Sequence, residues 1–239
     1  INMKSYSQAL KILKKGKINI QDEYITSTES LNRVCSENIY SHNHYPSGNN
    51  SSFDGYAINS IETKNLNNQN SRLFKILGTI AAGDKPKKRR IKKFQTYEIM
   101  TGALLPKGFD AIIPIEQIIF YPNRKKPKFI KIHKKIKKDQ YVRLKGSDYK
   151  KNDLLIKKGT ILKSSHILAL KTLGIHNIRV KKIPNILFFS TGNEIEDKSK
   201  IPVWKVRNSN LHYMKSLSYN FFFNFKDGGI LRDTDTTIF

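Results

Sequence analysis

Between Tyr56 and about Val142 the chain offers only short β-forming runs, and this spacing limits its architecture more than any other feature. Phe74 to Leu77, Gln95 to Met100, Ala111 to Gln117 and Pro127 to His133 are rich in Ile, Phe and Tyr. Each is too short for a helix of ordinary length, and Gly, Pro and Lys-rich connections divide them, the pattern of a small all-β domain. NLNNQNSR (Asn65 to Arg72) reads as a loop inside it, and no repeat of fixed period is present.

The flanks read differently. Over Ser5 to Lys15, Tyr6, Leu10 and Leu13 share one helical face with Ala9 and Ile12 beside it; Ser5 suits the N-cap and Gly16 the C-cap. INIQDEYI predicts a strand, and Leu31, Val34 and Cys35 predict a further helical turn or two. On the far side, Ser164 is expected to cap a helix with Ile167, Leu170 and Leu173 on its inner side and Gly174 at its end, followed by the strand HNIRV. Residues 1–50 and 143–182 are therefore expected to form one discontinuous α+β domain, with 51–142 inserted as a β-rich domain. After Lys181 to Pro184, which reads as a linker, NILFFS suits a buried parallel strand. The turn TGNE, a helix with Leu211, Met214 and Leu217, and FFFNF follow, giving a β-α-β unit. The expected fold class is mixed α/β and multidomain, with 183–239 an incomplete α/β domain.

Lys and Arg number 44 against 19 Asp and Glu, a formal net charge of +25. Such a balance invites nucleic acid. Yet lysine, asparagine and isoleucine are abundant together, the bias of an AT-rich genome. The runs KPKKRRIKK (Lys85 to Lys93) and Asn123 to Lys138 alternate cations with apolar residues as solvated strand faces do. No aromatic-interleaved RNA-binding stretch accompanies them, so direct nucleic-acid binding ranks below attraction for small anions. The single cysteine, Cys35, excludes an intramolecular disulfide and a CxxC zinc site. No stretch approaches the roughly 20 apolar residues that span a bilayer. A soluble, cytoplasmic protein is expected.

Four acids stand where folding does not need one: Asp54 in SFDGYA, Asp148 in RLKGSDY, Glu194 in STGNE and Asp233 in ILRDTD. Each lies beside a glycine or at a strand end, where backbone amides can approach a ligand. Scattered carboxylates of this kind suit Mg²⁺, a hard cation that shares its oxygen ligands with substrate phosphates. Singly, each is also ordinary loop chemistry, since Asp beside Gly forms turns. In IMTGALLPKGFDAIIPIE (Ile99 to Glu116), Thr101 and Gly102 offer a hydroxyl and an open backbone N–H to an anion, and a Gly-x-Asp turn follows. A plain β-hairpin accounts for that stretch equally well.

Taken together, five blocks in order resemble the molybdopterin molybdenumtransferase family, the molybdenum insertases. They are NSSFDGYA, AAGD with IMTGALLPKGFDAIIPIE, VRLKGSDYKKNDLLIKKGT, LFFSTGNEI, and NSNLHYM with ILRDT. The corresponding family patterns are NSAMDGYA, AG with IMTGAPxPxGADAVVxxE, RxxGEDxxxGxxxxxxGT, xxxSTGDEL, and DxN with xxxDD. The resemblance implies insertion of molybdate into adenylylated molybdopterin, with Mg²⁺ present and AMP released. It implies that Asp54, Asp148, Glu194 and Asp233 are active-site acids, with Asp54, Asp148 and Asp233 holding the metal or positioning water. Thr101, Gly102 and Arg143 would contact the anionic substrate, and Thr191, Gly192 and Asn210 would join Glu194 in a molybdopterin-binding α/β domain. A homodimer is implied, the site lying between the inserted domain of one subunit and the α/β domain of its partner.

Phe53 replaces the family's Met, Ser147 its Glu, Asn193 its Asp, and Asn208 the acid of IxDSN. The family's later GGxSxGxxD, PGKP and LPGNP segments have no counterpart, so a C-terminally truncated member is expected, with Met3 the expected start. A catalytically inactive remnant or dimerising scaffold is the alternative expectation, and a basic nucleic-acid binder the third.

Overall fold

A computed structural model describes residues 4–16, 18–85 and 90–233. Met3, the middle of the Lys85–Lys93 run and residues 234–239 lie outside the described residues. The fold is mixed α/β, and its contacts divide it into two compact units, Tyr40–Leu154 and Ile1–Ile39 with Leu155–Phe239.

Tyr40–Leu154 is built on one six-stranded sheet. Its strands run in the order Ala111–Pro114, Gly55–Ile58, Gln95–Ile99, Arg72–Ile80, Phe129–Ile132 and Ile119–Tyr121. All neighbours are antiparallel except Arg72–Ile80 beside Gln95–Ile99, which are parallel with an irregularity between Ile76 and Thr79. Period-two alternation sends Tyr56, Ile58, Phe74, Ile113, Ile130 and Ile132 into one core cluster. Ala57, Ile99 and Ile112 enter a second cluster on the opposite side. The central strands are thus buried on both faces, which is why GYAI and AIIP read as unbroken apolar runs. Only glycine fits at position 55, because a Cβ there would lie 2.2 Å from the Ile113 carbonyl oxygen.

The Gly-x-Asp turn serves folding. Asp110 accepts hydrogen bonds from the Ser60 N–H at 2.7 Å and the Ser60 hydroxyl at 2.8 Å, anchoring the 3₁₀ turn Ser60–Thr63. Asp110→Ala leaves that N–H without its acceptor, at an expected cost of about 1–3 kcal/mol, read as a lower urea midpoint at unchanged slope.

In the other unit, Asp22–Thr26 pairs antiparallel with Asn177–Lys181, from Asp22 opposite Lys181 to Thr26 opposite Asn177. The helix Tyr6–Lys15 forms with the expected Ser5 cap, Gln8 closing a capping box, and buries none of its residues among those described. Two local expectations are corrected. Val34 and Cys35 lie in isolated bridges to Ile161 and Val180, not in a helical turn, because backbone bonds such as Cys35 N–H to Thr160 O draw the segment into extended pairing. Only the 3₁₀ turn Ser27–Glu29 is helical there. Ser164 is the first residue of the helix Ser164–Thr172, and its N-cap is Lys163, whose N–H is accepted by His166 Nδ1 at 2.9 Å.

Asn185–Thr191 and Asn224–Leu231 are parallel neighbours, joined by the helix Ser209–Phe221 that packs against both. This is the expected β-α-β unit, but NILFFS is not buried on both sides: Leu187 and Phe189 are exposed, alternating with half-buried neighbours. Of FFFNF, Phe221 closes the helix and Phe222 caps it in the left-handed region, so the strand starts only at Asn224.

Candidate functional site

In the Tyr40–Leu154 unit the loop Ser51–Asp54 lies against the turn that follows Gln95–Ile99. Backbone bonds join them in both directions, Ser51 N–H to Ala103 O at 2.9 Å and Gly102 N–H to Ser51 O at 2.8 Å. Asn50 Nδ2 adds a bond to Gly102 O at 2.6 Å. Gly102 makes the turn possible with φ of +80°, a conformation glycine adopts without strain. Asp54 closes the junction: its Oδ1 accepts from the Thr101 N–H at 2.7 Å and from the Thr101 hydroxyl at 2.8 Å. The backbone N–H first and the hydroxyl second hold the Asp54 carboxyl below its ordinary value. Thr101 and Gly102 thus depart from the expectation in one respect. Their donors are given to Asp54 and Ser51 instead of standing open to an anion.

Arg143 enters from the next segment. Val142–Arg143 pairs antiparallel with Asn50–Ser51, Arg143 opposite Asn50. Its guanidinium lies 5.6 Å from the centre of the Tyr45 ring and donates to Asp148 Oδ2. Asp148 Oδ1 accepts from the Ser147 hydroxyl at 3.0 Å, so the serine that stands for the family's glutamate supports the acid from beside it. Arg143 first, then Ser147, depresses the Asp148 pKa, and the Arg143 pKa rises reciprocally. Both partners are exposed, the side chains retaining 48% and 36% of their surface. A pair this open contributes little to stability, so an arriving anion can compete for the guanidinium. Tyr45, Asn50–Ser52, Thr101, Gly102 and Arg143 line an open cleft of about 490 Å³.

The remaining expected residues lie in the other unit. Thr191, Glu194, Asn208 and Asn210 line a cleft of about 400 Å³ at the C-terminal end of Asn185–Thr191, the end of a β-α strand where ligands commonly bind. Gly192 has φ of +134°, and a Cβ there would meet the Glu194 carboxylate at 2.5 Å. The buried Ser190 hydroxyl donates to the buried Asn208 Oδ1 at 2.6 Å, so the asparagine in place of the family's acid keeps an accepting oxygen in position. Asn193 likewise accepts, from the Asp233 N–H at 3.1 Å. Arg232, which the sequence reading passed over, donates to the carbonyls of Gly192, Asn193 and Ile195 at 2.9–3.2 Å and ties down the whole TGNE turn. Its only signal was its place beside Asp233.

Among the described residues no three or more His, Cys, Asp or Glu side chains gather as a metal site.

Known proteins match this pattern. The family described as MoeA N-terminal region (domain I and II) matches residues 4–174. Molybdopterin molybdenumtransferases of Staphylococcus epidermidis and Staphylococcus aureus are each 31% identical, over 91% and 80% of the chain. The chain spans about half the length of these relatives, 51% and 44%. Two structures of the molybdopterin biosynthesis MoeA protein of Pyrococcus horikoshii superimpose with TM-scores of 0.84 and 0.85, at 27% and 26% identity. They match over 96% and 98% of this chain and 57% and 61% of their own.

Proposed function

This chain belongs to the MoeA family, and from that membership we propose that it acts in molybdenum cofactor biosynthesis as a molybdopterin molybdenumtransferase. The proposed reaction inserts molybdate into adenylylated molybdopterin and releases AMP. The observation that supports it most is the meeting of the SFDGYA and IMTG blocks at Asp54 and Thr101, beside the cleft that Arg143 lines. Residues separated by 47 positions build one junction there, and the cation next to it faces a cleft large enough for phosphate or molybdate oxygens.

In this reading Arg143 binds the anionic group, exchanging its exposed partner Asp148 for substrate oxygens. Asp54 stays ionised and fixes Thr101 at the mouth of the cleft. Its Oδ2 is not engaged by Thr101, and a hard carboxylate oxygen of this kind suits Mg²⁺, which needs few protein ligands when substrate oxygens complete its shell. Asp148 and Asp233 would be further ligands, and the ion would supply neutralisation of the phosphate charge. Thr191, Gly192, Glu194 and Asn210 serve the pterin side. The segments 1–50 with 143–182, 51–142 and 183–239 act as three domains of a cytoplasmic homodimer, each site shared between two copies.

Calorimetric titration of the chain with AMP, in the presence of molybdate and Mg²⁺, tests the reading. Arg143→Gln removes a charge-assisted contact, and a loss of about tenfold or more in affinity is expected. Equal binding by the variant and the parent, or no binding by a chain that melts cooperatively, would count against it.

A further inference from the structure

One face of the six-stranded sheet is covered at one end and bare at the other. Tyr97, Ile99, Ala57 and Ile112 are buried on that face in the second core cluster. Lys75 shares the same side through its pairing with Gln95, two residues before Tyr97. Beyond it the register fixes what is presented. Leu73 lies opposite Lys131, which lies opposite Ile119; Lys75 lies opposite Phe129, which lies opposite Tyr121. Partners across a ladder point to the same side, as do residues two apart on a strand. These six side chains therefore form two adjoining rows, while Phe74, Phe120 and Ile130 point the other way into the first core cluster.

The rows are open. Leu73, Ile119 and Tyr121 keep 39%, 54% and 52% of their surface, and the Tyr121 ring lies 6.5 Å from the half-buried Phe129 ring, edge to face. A lysine-rich composition explains Lys75 and Lys131 on a solvated face, but not four apolar side chains set between and beside them. The surrounding sequence is one-signed: between Glu116 and Asp139 there are nine Lys or Arg and no acid, and no acid lies between Glu62 and Asp84.

An occupant must offer flat apolar surfaces and closely spaced negative charges together. A single-stranded polynucleotide does so, since its bases stack on aromatic rings while its phosphates pair with lysines. A duplex hides its base faces, and an anionic bilayer has no flat rings to stack. We propose that this sheet face binds single-stranded nucleic acid, with bases on Tyr121 and Phe129 and phosphates toward Lys75 and Lys131. The linear sequence conceals the platform because its aromatic and cationic residues come from three strands that only the sheet brings side by side. The proposal stands independently of the insertase reading.

Fluorescence anisotropy of the whole chain tests it, using labelled oligo-dT and oligo-rU strands of about 15 nucleotides, a duplex of the same length and phosphatidylserine vesicles, each over a range of salt. Both single strands, or one of them, are expected to bind more tightly than the duplex. Tyr121→Ala is expected to lower single-strand affinity about tenfold and to leave duplex affinity and the thermal melt unchanged. Lys75→Gln combined with Lys131→Gln removes two phosphate contacts, so the log–log salt slope becomes shallower by about 1.4. Equal affinity for single strand and duplex, untouched by Tyr121→Ala, would reduce the face to diffuse charge attraction and overturn the proposal. Binding to vesicles without any preference for oligonucleotides would overturn it as well.

Discussion

Asp54→Ala is expected to lower the proposed molybdate insertion by about 100-fold, the order of loss that follows when a site residue is released from its productive position, while the melting temperature stays nearly unchanged. Both consequences come from the same geometry. Asp54 Oδ1 is the acceptor for the Thr101 N–H and hydroxyl, so its removal frees the turn that lines the cleft. The side chain is exposed, and the freed donors turn to water at little cost to the fold. Asp54→Asn divides the role further, because the amide oxygen still accepts from Thr101 but the charge is gone. Full activity in the asparagine variant would leave Asp54 a purely structural acceptor and remove it from metal binding. The acid dependence follows in sign. Thr101 depresses the carboxyl below its usual 3.8, so the junction is intact above that pH and is lost as pH falls through the lower folded value. Asp148 behaves in the same sense, held down by Arg143 and Ser147. A binding profile that is flat above pH 5 and falls below 3.8 checks both together.

Gly55→Ala is expected to damage the fold itself. The added Cβ would stand 2.2 Å from the Ile113 carbonyl oxygen and 2.9 Å from the Ile113 carbonyl carbon. Both are backbone atoms of the neighbouring strand, and no rotamer change relieves the clash. The Gly55–Pro114 and Tyr56–Ile113 register would have to open where both core clusters meet the sheet. Overpacking of this kind costs about 3 kcal/mol, a drop of roughly 10 °C in melting temperature for a domain of this size. A variant that melts within a degree or two of the parent would show that the two strands separate there without penalty.

The contrast between these two neighbours shows how far the sequence can be read. The short Ile- and Tyr-rich runs announced the sheet because strand formation depends on local alternation, and the helix ends at Ser5 and Gly16 followed from local capping. Ser164 and the Val34–Cys35 segment went otherwise, because the Lys163 N–H donates to His166 Nδ1 and the Cys35 N–H to the Thr160 carbonyl, and these bonds settled the two backbones. Four carboxylates stood out beside glycines or at strand ends, but their spacing could not say which were bound to what. Asp110 carries the same signature as Asp54 and turned out to hold Ser60, whereas Asp54 holds Thr101.

Sequence alone therefore determined the type of most elements and the order of the family's blocks, since propensity, capping and motif order are properties of neighbours along the chain. The tertiary structure decided which donors Asp54 and Asp148 engage, that Arg232 fastens the TGNE turn, and that Lys75, Phe129 and Tyr121 stand in one row. Those relations depend on strand register and on the approach of distant segments, and no local preference specifies either.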